Sequence, residues 1–396
     1  MTEVREIVAS RPVSVLRGWL GVGAVTAGTF TVVTSEMLPV GLLTPIGSAL
    51  RVSEGRAGLA LTVTGLVAAV SAPVVTAALG RFERRLVLCG LMAVLALGNL
   101  GAAAAPTFGV LIGARVLVGV GMGGVWAIAA SLAARLVPAR SVTAATSLVF
   151  SGVAVASVLG IPAGTFLGAL AGWRITFVAA AAVALLVLVA MAASLPPLPA
   201  IEAMALGGVL RLTRQPGLRV ALLVVAFLVT GHFAAYTYVR PVLEEVTGVG
   251  ARTIGTLLLV YGIAGVAGNF AAGAAAAHTP RKTLIVIGSI LAGAAIALPV
   301  LGASPPQAVA LMIVWGLAYG GVSVSTQSWV FAASPQHRDG ASALFAGVFN
   351  GAIALGSLIG GLTADGIGLA AALWLGGALA VAAVLVASFG TIAPRP

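Results

Sequence analysis

The sequence predicts an all-α polytopic membrane protein of twelve spans, arranged as two six-helix pseudo-repeats, and three observations carry that expectation. The 396 residues are 60% hydrophobic and only 8% charged, with a mean hydropathy of +1.15, whereas soluble domains carry about 25% charged residues. Apolar stretches of roughly 18 to 25 residues recur along the whole chain, each long enough to cross a hydrocarbon core of about 30 Å. Glycines, a basic pair and a proline recur at an offset of 197 residues.

In chain order the spans fall near 18–45, 57–79, 86–105, 107–134, 142–168, 175–195, 219–240, 253–277, 283–302, 307–333, 341–363 and 368–390. An even number places both termini on one side. Connections on that side carry fifteen Arg and Lys residues, against five (Arg51, Arg56, Arg174, Arg240, Arg252) on the other, where Glu54, Glu244, Glu245 and Asp365 also lie. The excess predicts cytoplasmic termini in a cell inner or plasma membrane. The polar stretch Met1–Arg17 runs directly into a full-length span, which predicts a retained N-terminus rather than a cleaved signal peptide.

The net charge of +11 is spread in short clusters between spans, so it reads as membrane topology and not as a nucleic-acid surface. Cys89 is the single cysteine, which excludes an intrachain disulfide. It reads as a small buried apolar residue.

The longest connection, 196–218, begins Pro-Pro-Leu-Pro and divides the chain into an N-terminal half, 1–195, and a C-terminal half, 219–396, joined by a cytoplasmic linker. At the 197-residue offset Gly58 meets Gly255, Gly65 meets Gly262, Arg84-Arg85 meets Arg281-Lys282 and Pro138 meets Pro335. Gly119-x-x-x-Gly123-Gly124-Val125 likewise meets Gly316-x-x-x-Gly320-Gly321-Val322. Such joint agreement predicts a parallel internal repeat.

Glu36 is the one carboxylate placed inside a span, roughly 25 Å from the cytoplasmic start of its helix at about 1.5 Å per residue. A carboxylate there must face a cavity, pair with a cation or hold a proton. Arg115 in the fourth span lies at a similar depth and is the expected partner. A carboxylate alternately paired and protonated links proton uptake to a change in accessibility, while a fixed pair would only hold two helices together.

Gly152, Ala156, Gly160, Gly164 and Gly168 recur every four residues in the fifth span, with Pro162 among them, so another helix can approach closely along that face. Gly347, Gly351, Gly356 and Gly360 suggest a similar ladder in the eleventh span, as a hinge or sliding contact between the halves would need. The seventh span ends His232-Phe233-Ala234-Ala235-Tyr236-Thr237-Tyr238-Val239-Arg240-Pro241, more polar than a lipid-facing helix tolerates. His232 is a candidate to carry a proton or to meet substrate, Tyr236 a substrate contact, and Tyr238 either a substrate contact or an interfacial anchor. Trp126, Asn269, Gln327, Trp329 and Asn350 are further polar or aromatic candidates for a cavity.

The few carboxylates and histidines form no catalytic constellation, and no G-x-x-x-x-G-K-[ST] phosphate loop occurs. The chain is therefore expected not to be an enzyme, and to need no metal and no cofactor.

Thr34-Ser35-Glu36-Met37-Leu38-Pro39-Val40-Gly41-Leu42-Leu43 resembles the first-helix signature of the twelve-span drug:proton antiporter branch of the major facilitator superfamily, which includes bacterial sugar-efflux and multidrug-efflux transporters. Arg115-x-x-x-Gly119-x-Gly121 is similar to the fourth-helix motif, whose arginine the resemblance implicates in proton transfer. Gly160-Ile161-Pro162-Ala163-Gly164 resembles the fifth-helix antiporter motif with its Gly-Pro pair interrupted, and Trp173-Arg174-Ile175-Thr176-Phe177 the segment entering helix six.

Two positions depart from the pattern. Gly80 stands where the loop after helix two often has an aspartate, although Arg84 and Arg85 keep the basic pair of its conformational latch and Glu83 lies nearby. Arg240 precedes Pro241 where sugar-efflux relatives tend to be acidic, which argues against sugar and for a neutral or weakly anionic polar cargo at an outer rim.

The resemblance implies a monomeric, two-lobed transporter whose cavity is lined mainly by spans one, four, seven and ten. The expected function is proton-coupled export of small organic molecules such as drugs or sugars across the lipid bilayer. Glu36, Arg115 and His232 are the proton-coupling candidates, and Trp126, Tyr236, Tyr238, Gln327 and Asn350 the cavity candidates. Gly152, Gly160, Pro162, Gly164, Arg84 and Arg85 are the candidates for conformational change. An importer or facilitator, and a non-transporting membrane receptor or scaffold of the same fold, are the alternatives.

Overall fold

The computed structural model describes residues 15–78, 82–198 and 212–390. Among them are twelve helices long and apolar enough to cross a membrane, and no strand. They are α1 (Val15–Leu50), α2 (Glu54–Ala78), α3 (Arg84–Ala103), α4 (Phe108–Leu136), α5 (Val142–Val155, extended through Ala156–Gly160 and Ile161–Ala171) and α6 (Trp173–Ser194). After the linker follow α7 (Pro216–Tyr236), α8 (Ala251–His278), α9 (Pro280–Leu301), α10 (Pro305–Gly320, continued as Val322–Ala333), α11 (Arg338–Gly366) and α12 (Leu369–Phe389). Most of the linker, 199–211, and Gly80 in the loop after α2 lie outside the described residues.

Helices that are apolar all round have no water-facing stripe to orient them, so glycine contacts decide which faces meet. A Cβ on Gly119 would stand 2.7 Å from the Thr64 carbonyl oxygen, and one on Gly123 2.5 Å from that of Ala68, so α4 lies directly on α2. The same approach recurs 197 residues later: Gly316 meets the carbonyl of Tyr261, and Gly320 that of Gly265, so α10 lies on α8. Side chains at these positions would force the backbones apart.

The tight turns recur too. α5 passes into α6 through Gly172 at φ 88°, and α11 into α12 through Gly368 at φ 136°, conformations that an L side chain rarely adopts. Arg281 at the start of α9 donates to the carbonyls of Ala387 (2.5 Å) and Ser388 (2.7 Å), the unsatisfied end of α12.

The α5 glycines pack on α1: added Cβ atoms would meet Thr29 from Gly152, Thr34 from Gly160, Leu38 from Gly164 and Leu42 from Gly168. Its other face meets α8, with Phe166 against Gly255 and Ser157 against Gly262. The π-turn Ala156–Gly160 just before Pro162 absorbs the backbone donor that this proline lacks. The eleventh-span ladder departs from expectation. Gly356 and Gly360 lie against Thr230 and Ala234 of α7, within the same half, and Gly347 and Gly351 touch nothing within 4 Å. The face of α11 that meets α2 instead carries Asn350, Ala354, Ser357 and Gly361.

Candidate functional site

Helix α1 contains two prolines, Pro39 and Pro45. A proline has no N–H to give the carbonyl four residues earlier, so Ser35 and Gly41 each lose their intrahelical partner. Both carbonyls are taken by arginines. Arg115 Nη1 donates to Ser35 O at 2.7 Å, and Arg240 Nη1 donates to Gly41 O.

Arg115 is fully buried. Besides Ser35 it donates through Nη2 to the Glu36 backbone carbonyl at 2.8 Å and through Nε to Ala60 O at 3.0 Å. The guanidinium therefore ties α1, α2 and α4 through main-chain oxygens, and the Gly119 contact brings α4 near enough to α2 for the Ala60 bond. Asn99 of α3 adds a bond to the Ser35 hydroxyl at 3.0 Å.

This corrects the expected side-chain pairing. Glu36 and Arg115 do meet, yet among the described residues no ion pair joins their charged groups. The Glu36 side chain is buried with Oε1 lacking a hydrogen-bond partner.

Across the seam, His232 sits within a cluster of rings. It lies nearly parallel to Tyr319, with centroids 3.4 Å apart and planes at 9°, and to Tyr236 at 4.9 Å and 21°. Tyr236 in turn stacks on Tyr261 at 4.8 Å. Trp315 stands edge-on to His232 at 83° and donates its indole N–H to His232 Nδ1 at 3.1 Å. His232 Nε2 and the Tyr261 hydroxyl are buried without partners. Val33, Met37 and Val40 of α1 share one apolar core with Phe233, Tyr236 and Trp315.

Of the expected cavity residues, His232 and Tyr236 come together. Tyr238 does not join them: it is fully buried toward the end bearing the acidic loops, donating to Ser357 O at 2.7 Å with its ring end against Gly58 and Gly361. It is neither an interfacial anchor nor part of the ring cluster. Trp126 is half-buried between the apolar cores. Gln327 is half-buried on α10, and Asn350 donates to Ala346 O in its own helix at 2.9 Å.

Arg84 is buried at the start of α3, where its N–H takes the Leu198 carbonyl at 2.9 Å; Arg85 beside it is half-buried. Arg240, expected at an open rim, is instead buried, ion-paired with Glu244 at 2.9 Å and bound to Gly41. Tyr261, Trp315 and Tyr319 were not among the expected site residues. Their sequence signal is the i, i+4 spacing of Trp315 and Tyr319, matching that of His232 and Tyr236.

Among the described residues, hydrogen bonds bridge the two sets of six helices at the end bearing the acidic loops. They are Gly41 with Arg240, Thr44 with Glu244 at 2.6 Å, Gly58 with Ser357 at 2.9 Å, and the first turn of α2 with Asp365. Asp365 accepts from Ser53 Oγ at 2.5 Å and from the Gly55 N–H at 2.9 Å.

Twelve membrane-length helices, glycine contacts repeated at a fixed offset, and buried unpartnered polar groups in both halves define a polytopic transporter built by duplication. The model of the Major Facilitator Superfamily matches residues 25–331 and 221–396, and the chain belongs to that family. It is a transporter of small molecules and not an enzyme.

Among its curated relatives is a protein named transcription regulatory protein OpdE from Pseudomonas aeruginosa, 36% identical over 94% of this chain and 93% of that protein. Proteins named purine ribonucleoside efflux pump NepI are 34% identical in Salmonella paratyphi A, over 95% of each chain, and in Escherichia coli, over 93% of each. Solved structures with the same fold include a bacterial homologue of the lysosomal transporter Spinster in an inward-facing, occupied conformation, with TM-score 0.75 and 18% identity over 96% of each chain. Another is a point mutant of the nucleoside transporter NupG, with TM-score 0.75 and 13% identity over 93% of this chain and 98% of that one.

Proposed function

We propose that this protein is a proton-coupled exporter of small neutral organic molecules, with both termini on the cytoplasmic side of the cell inner membrane. The observation that carries the proposal is the buried Glu36 side chain, held beside Arg115 without an ion pair. An ionised carboxylate in apolar surroundings bears a desolvation cost that the protonated acid does not. Changing the access of Glu36 between the two sides is then coupled to proton gain or loss. Arg115 fixes the backbone around Glu36 and supplies a constant positive charge. The two halves, 1–195 and 219–396, rock about the seam, with the linker 196–218 joining them.

Purine ribonucleosides are the first cargo to assay, because relatives named as their efflux pumps align along nearly the whole chain. Sugars, amphenicols and cationic dyes complete the panel. Arg115 and Arg240 are both bound to carbonyls of α1, so neither is a free cation for an anionic substrate.

In proteoliposomes, an imposed proton gradient is expected to drive a purine ribonucleoside uphill out of the side bearing the termini. Exchange indifferent to the gradient would make the protein a facilitator. No exchange of any panel member would favour a sensory role, as the name of the Pseudomonas aeruginosa relative suggests.

A further inference from the structure

We propose that His232 is the residue that selects the substrate, by donating its Nε2–H to an in-plane acceptor of a neutral, planar heteroaromatic ring. The inference rests on the transport reading above and adds the chemistry of the cargo.

Trp315 Nε1–H donates to His232 Nδ1 at 3.1 Å, so Nδ1 carries no proton and the ring hydrogen of the neutral imidazole is on Nε2. A doubly protonated ring would lose that bond, because both nitrogens would then be donors. His232 is thereby suited to donate a fixed hydrogen bond rather than to carry the coupled proton. Nε2 is buried without a partner, on a residue 4% exposed. A buried donor left unsatisfied costs free energy that a ligand acceptor recovers.

The direction of that bond limits the ligand's shape. An imidazole N–H bond lies in the ring plane, and the His232 plane is within 9° of Tyr319, 21° of Tyr236 and 18° of Tyr261. A flat ligand that accepts the bond while coplanar with the imidazole lies parallel to these rings and stacks beside them, an orientation a puckered sugar ring cannot use. The Tyr261 hydroxyl, on a ring 6.5 Å from the imidazole, is also buried without a partner.

Equilibrium binding and gradient-free counterflow test the idea with adenosine and its 1-deaza, 3-deaza and 7-deaza forms, each missing one ring acceptor. One deaza form is expected to bind wild type about tenfold more weakly than the parent. His232→Phe should weaken the parent to that same level and abolish the difference, while His232→Gln, which keeps a donor near the Nε2 position, should restore part of it. Size-exclusion profiles confirm that each variant is folded.

Equal binding of all four compounds to wild type would overturn the proposal, as would discrimination surviving in His232→Phe. If no ribonucleoside binds but another panel compound is driven by the proton gradient, the cargo assignment fails and the coupled-export reading stands. If deaza discrimination is found without any response to a gradient, the reverse holds.

Discussion

Arg115 occupies the carbonyl of Ser35 that Pro39 leaves without an intrahelical donor. A buried arginine bound to three main-chain oxygens is a structural anchor as well as a charge beside Glu36. The two roles are separable. Arg115→Gln removes the charge and most of the bonds, and should destabilise the detergent-solubilised protein by about 2 kcal/mol in thermal unfolding.

Pro39→Ala gives Ser35 O an intrahelical N–H and so weakens its need for Arg115. The Pro39→Ala, Arg115→Gln double variant should be less damaged than the sum of the single variants, with a coupling of about 1 kcal/mol. Strict additivity in the same unfolding assay would mean that the freed carbonyl contributes nothing.

At the end bearing the acidic loops the seam closes partly because Asp365 caps the first turn of α2 from the other half of the chain. Gly55 lies under that cap: a Cβ there would collide with Gly361 O and stand 2.5 Å from Asp365 Cγ. Gly55→Ala should wedge the seam open and shift the protein toward an outward-open state. The readout is labelling of Val40→Cys, in a Cys89→Ser background, by a membrane-impermeant maleimide added on the outer side. The rate should rise about tenfold, since roughly 1.4 kcal/mol of strain moves the equilibrium that far. An unchanged rate in folded protein would show that the seam adapts to the extra methyl group.

Gly119 and Gly316 make equivalent approaches, to Thr64 on α2 and to Tyr261 on α8. Gly119→Val and Gly316→Val should both destabilise the protein by more than about 2 kcal/mol, because the obstructing atoms are backbone. They should differ in function. Gly316→Val displaces Tyr261 in the ring cluster and should weaken ribonucleoside binding, while Gly119→Val displaces Arg115 and should impair coupling.

Much of the fold was legible because hydrophobic length is written into every span, and the repeated glycines marked the internal duplication without naming the α2–α4 and α8–α10 contacts they make. Glu36 and Arg115 stood out as rare ions in apolar helices. Their mode of contact was less visible, although the rule that finds it is local: Pro39 and Pro45 each point to the carbonyl four residues back. Which arginine fills each carbonyl depends on tertiary approach, which is why Arg240 looked like a free rim charge. Tyr261, Trp315 and Tyr319 escaped because an aromatic on an apolar helix has no contrasting background. The eleventh-span glycines misled because spacing identifies a close face without naming its partner.

The central claim is that Glu36 carries the coupled proton. Glu36→Gln keeps the side chain's size and cannot ionise, so the measurement is proton-gradient-driven movement of substrate in proteoliposomes, set beside gradient-free counterflow in the same preparation. The variant is expected to exchange substrate in counterflow but no longer to accumulate it against a gradient. Wild-type accumulation by Glu36→Gln would contradict it.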